Sequence, residues 1–125
     1  MSTEDLQTLY EEAYSTLGAA DVSSPTTAIT SLSNARDAVQ AALDEAMALS
    51  VTTEGTSVRQ VAALAGIAPN SAASHMARSA TLSGYADRGR VGASGVILAR
   101  HDYSTQQTEG EKKPMSFVRR NSKES

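Results

Sequence analysis

The stretch VRQVAALAGIAPNSAASHM, residues 58–76, limits the fold more than any other part of the chain. Gly66 and Pro69 cut its helical pattern into two short segments. Gly66 supplies the positive φ of a tight turn, and Pro69 suits the first turn of the following helix. Ser57 and Gln60 match a capping box at the start of the first segment. Val61 and Ala65 face the neighbouring helix, and Ala62 is small where two helices cross closely. Ile67 plugs the space between them, and Ala72 and Met76, with His75 beside them, form the inward face of the second. The spacing from Ala62 to Gly66 to Ala72 sets two helices at a steep angle. The plainer reading is a helical hairpin with a glycine C-cap.

The flanking sequence predicts mostly helix. Ser2 caps a helix that runs to Leu17, with Asp5 three residues on. Leu6, Leu9, Tyr10, Ala13 and Leu17 share one face, and Gly18 supplies a left-handed end. Ser24-Pro25 opens a second helix to about Leu49. Its stripe is Leu32, Ala35, Val39, Leu43, Ala46 and Met47, with Asp37, Gln40, Asp44 and Glu45 largely outside it. That stripe is longer than one short helix needs. It packs on Leu6–Leu17, on the same helix of a second subunit, or on both. SVTTEGTS reads as a connector with Gly55 as its flexible point.

Beyond the helix pair, SGYADRGRVGASG is turn-rich and GVILARHDY has the character of a strand, which predicts a hairpin. From about Ser104 the composition is that of a disordered tail. The expected organisation is an acidic helical element at 1–50, a central unit at 51–103 and a tail at 104–125. The length of 125 residues is that of one domain. The core available is thin, built from Ala, Val, Leu and Met, because only 4% of residues are aromatic.

Charge is divided along the chain. Residues 1–57 carry nine acids and one base, whereas residues 58–101 carry five bases (Arg59, Arg78, Arg88, Arg90, Arg100) and one acid. A polyanion therefore favours the middle and is repelled by the start. The absence of Cys excludes a disulfide framework, a thiolate metal site and a Cys nucleophile. His75 and His101 lack a carboxylate at metal spacing, GRVGASG lacks the Lys-Ser/Thr ending of a phosphate loop, and no triad spacing occurs. Glu11-Glu12 reads as a solvated helix face. No enzyme, metal or cofactor is expected. MSTEDLQTLYEEAY is not a signal peptide, and no apolar run has transmembrane length. The expectation is a cytoplasmic protein with no membrane association. RRNS, Arg119–Ser122, matches a basophilic kinase site, a match that is usually accidental in a basic tail.

QVAALAGIAPNSAASHM resembles the helix-turn-helix family of bacterial DNA-binding proteins over about a fifth of the chain. The resemblance implies that the second helix enters the major groove by its N-terminal end. Pro69, Asn70, Ala73 and Ser74 would face bases, with Ser71 beside them. Asn70 is the best reader, because its amide pairs bidentately with adenine. Ser57, Arg59 and Gln60 would hold phosphate, and Arg78 would reach the backbone. YADRGRVGASGVILARH resembles the wing of a winged helix-turn-helix, with Gly92–Gly95 at its tip and Val96–His101 returning. Arg88 and Arg90 would then follow the DNA backbone or probe a narrow minor groove. Three departures stand out. No Arg or Gln occupies a favoured base-reading position, Ala68 replaces the usual Ser or Thr cap, and Ala72 is smaller than the usual Val or Ile.

The expected fold is therefore mainly α: an N-terminal helical pair, a helix-turn-helix and a short C-terminal β-hairpin wing. The expected function is a small, sequence-specific transcriptional regulator that binds double-stranded DNA as a homodimer in the bacterial nucleoid. Control would come from concentration or from a protein partner. The alternatives are a protein-interaction module without DNA binding, and a DNA binder of phage packaging or plasmid maintenance. Abundant Ala and Arg, with no Lys before Lys112, suggest a GC-rich bacterial or phage genome.

Overall fold

A computed structural model describes residues 3–112 of the protein. Its helices are α1 (Thr3–Gly18), α2 (Pro25–Thr53), α3 (Val58–Ala65), α4 (Pro69–Met76) and α5 (Ala93–Lys112), with a 3-10 turn at Ser83–Tyr85. The expected Ser2 cap lies outside the described residues.

Helix α2 is the spine. Ser24 is extended and its hydroxyl accepts the Thr27 N–H at 3.2 Å, while Pro25 occupies the first turn. At 29 residues it is about 44 Å long, at ~1.5 Å per residue. Helix α1 folds back on it, and two alanines, Ala13 and Ala35, are the buried apolar residues of this contact. Tyr10, Tyr14 and Leu17 of α1 remain exposed. The α1–α2 hairpin is therefore thinly packed.

The main core lies at the other end of α2. Met47, Ala48 and Val51 of α2 meet Val61 and Ala62 of α3, Ala72 and Met76 of α4, Leu82, Val91, and Val96 and Ala99 of α5. Two eight-residue helices are too short to persist alone in water. Their stability comes from this burial, to which the enclosed Met76 side chain alone contributes roughly 1.5–3 kcal/mol. The same burial extends α2 past Leu49 to Thr53, so residue 50 falls inside a continuous helix.

Three expectations are corrected. Asp44 and Glu45, placed largely outside the apolar stripe, are nonetheless buried: Asp44 accepts a hydrogen bond from Gln40 at 2.7 Å, and Glu45 pairs with Thr81. The wing hairpin is absent, since no strand occurs among the described residues. Pairing is limited to a single antiparallel bridge between Asp87 and Arg90, closed by Asp87 N–H to Arg90 O at 2.8 Å and Arg90 N–H to Asp87 O at 3.2 Å. Arg88 and Gly89, with φ of 57° and 78°, form its two-residue turn. The segment expected to return as a strand, Val96–His101, lies within α5. Val96 and Ala99 are buried while Ile97 and Leu98 are exposed, a helical rather than an alternating pattern. Gly95 is not at a wing tip either. A Cβ there would sit 2.6 Å from the Tyr85 carbonyl oxygen, so Gly95 lets α5 approach the 3-10 turn. Third, the expected disordered tail is helical from Ser104 to Lys112, because Gln, Glu and Lys propagate a helix already nucleated and anchored. The remaining tail, including Arg119–Ser122, lies outside the described residues.

Candidate nucleic-acid interface

The α3–α4 unit is built from local rules. At the start of α3 the Ser57 hydroxyl accepts the Gln60 N–H at 3.0 Å, and Gln60 Oε1 accepts the Ser57 N–H at 3.1 Å. This reciprocal cap contributes about 1 kcal/mol. Gly66 ends α3 with φ of 75°, and the next amide, that of Ile67, donates to Ala62 O at 2.9 Å. Ala68 is extended and gives no side-chain cap, so α4 begins with Pro69 and first-turn amides that no capping side chain covers. Such amides attract anions.

Pro69, Asn70 and Ser71 are exposed on that first turn, and Arg59 and Gln60 are exposed on the first turn of α3. Gln60 spends its amide oxygen on the cap and keeps its NH2 as a donor. One turn further along α4, Ala73 and Ser74 are half-buried. The Ser74 hydroxyl donates back to the Asn70 carbonyl at 3.3 Å, which occupies its proton.

The Arg88-Gly89 turn is tied to this helix. The Val91 N–H donates to the Ala73 carbonyl at 3.2 Å, and the buried Val91 side chain enters the core. Exposed Arg88 and Arg90 are thereby held next to α4, although not by a wing. The structure thus brings residues 88 and 90 beside the middle of α4, while residues 69–71 stand on its first turn.

Arg78 is placed differently. It follows the end of α4 and lines an open cleft of about 550 Å³ with Leu9, Asp37, Gln40, Asp44 and Glu45. A phosphate approaching there would meet an acidic wall. Arg100 leaves the basic surface as well. Its Nε donates to Val51 O and its Nη2 to Thr56 O, both at 2.9 Å, satisfying carbonyls where α2 ends.

Sequence reasoning missed the polar framework beneath the site. His75 Nδ1 lies 3.4 Å from the Asp44 carboxylate, linking α4 to α2. The Tyr85 hydroxyl donates to Asp102 at 2.5 Å, linking the 3-10 turn to α5, and this carboxylate raises the Tyr85 pKa above its ordinary value. These partners lie 31 and 17 residues apart, and no local pattern announces them.

No protein-family model, no curated protein and no solved structure matches the chain. Among the described residues no group of three or more His, Asp or Glu side chains is arranged to hold a metal ion, and no helix is long and apolar enough to cross a membrane.

Proposed function

We propose that the protein binds double-stranded DNA as a homodimer, with α3 and α4 acting as a helix-turn-helix, and that it regulates transcription in the bacterial nucleoid. The observation that carries this reading is the exposed first turn of α4, Pro69 to Ser71, on the same helix to which Val91, through the Ala73 carbonyl, fastens the turn bearing Arg88 and Arg90. In this reading α4 enters the major groove by its N-terminal end. Asn70 reads adenine, and Ser71 with the half-buried Ala73 and Ser74 lies along the groove floor. Arg59, with Ser57 and Gln60, holds phosphate from one side, and Arg88 and Arg90 hold it from the other. The acidic α1–α2 hairpin stays away from the polyanion.

Titration on random and selected duplexes across a salt series tests the proposal. Affinity should fall linearly in a log–log plot as salt rises. Arg59→Ala and Arg90→Ala should each lower that slope by about 1 on every sequence, whereas Asn70→Ala should relax preference at one base pair by about 1–3 kcal/mol. No detectable binding at low salt would overturn the reading and leave a protein-interaction module.

A further inference from the structure

We draw no further inference here: the strongest candidate, the open cleft of about 550 Å³ that Asp37, Asp44 and Glu45 of α2 line together with Arg78, is an acidic cluster whose two buried carboxylates are already engaged, Asp44 by Gln40 and His75 and Glu45 by Thr81, and nothing in the structure shows what would fill it.

Discussion

Glu45 on α2 accepts the backbone N–H of Thr81 at 3.2 Å, and its other carboxylate oxygen accepts the Thr81 hydroxyl. Both residues are buried. This contact fixes the segment that leaves α4 against the spine. Glu45→Ala would leave two buried donors without an acceptor and should cost about 2–4 kcal/mol in urea unfolding. Glu45→Gln keeps the shape and one acceptor, so its loss should be smaller. A loss under ~0.5 kcal/mol for the alanine variant would show that water replaces the carboxylate.

Arg100 ties α5 to the end of α2 through two carbonyls. A planar guanidinium spans both, and a lysine ammonium does not. Arg100→Ala should destabilise the fold by about 1.5–3 kcal/mol, and Arg100→Lys should recover less than half of that. Full recovery by lysine in a denaturant melt would show that charge near the helix end, not the fork, is what counts.

Arg88 holds a left-handed φ of 57°, a conformation that costs a non-glycine residue roughly 1–2 kcal/mol and that asparagine tolerates better. Arg88→Asn should therefore leave stability unchanged or raise it by up to about 1 kcal/mol, while the salt slope of DNA binding falls by about 1. A destabilised Asn variant would mean that the Arg88 stem packs where the structure shows it exposed.

The Tyr85–Asp102 contact makes a prediction in pH. The carboxylate that accepts the phenol proton raises the Tyr85 pKa above 10.0. A folded-state pKa above the unfolded one stabilises the fold below the unfolded value, and this is lost as pH climbs through the folded value. Wild type and Tyr85→Phe should thus differ in melting temperature at neutral pH and converge in the alkaline range. A gap that widens above pH ~10 would reverse the sign.

How much of this was legible depended on range. The Ser57/Gln60 cap, the Gly66 turn and the Pro25 and Pro69 starts are decided within four residues, and each sits where the sequence placed it. Val96-Ile97-Leu98 read as a strand because three large apolar residues in a row suit either period. Tertiary burial of Val96 and Ala99 chose the helix. Gly95 read as a turn residue, and only the nearby Tyr85 carbonyl shows why no side chain fits. Asp44 and Glu45 read as lying outside the apolar stripe, and their burial was not legible since their partners, His75 and Thr81, arrive from a distant part of the chain. The exposed candidate readers Pro69, Asn70 and Ser71 came from the motif. The acidic setting of Arg78 could not, because it needs α1 and α2 in place.

Because α2 belongs to the outer hairpin at one end and to the core at the other, the described residues offer no point at which hairpin and core can be divided. A truncation after residue 50 would not release a smaller working unit. It would remove Met47 and Ala48 from among the eleven buried residues of the core cluster. The acidic half and the basic half fold and unfold together.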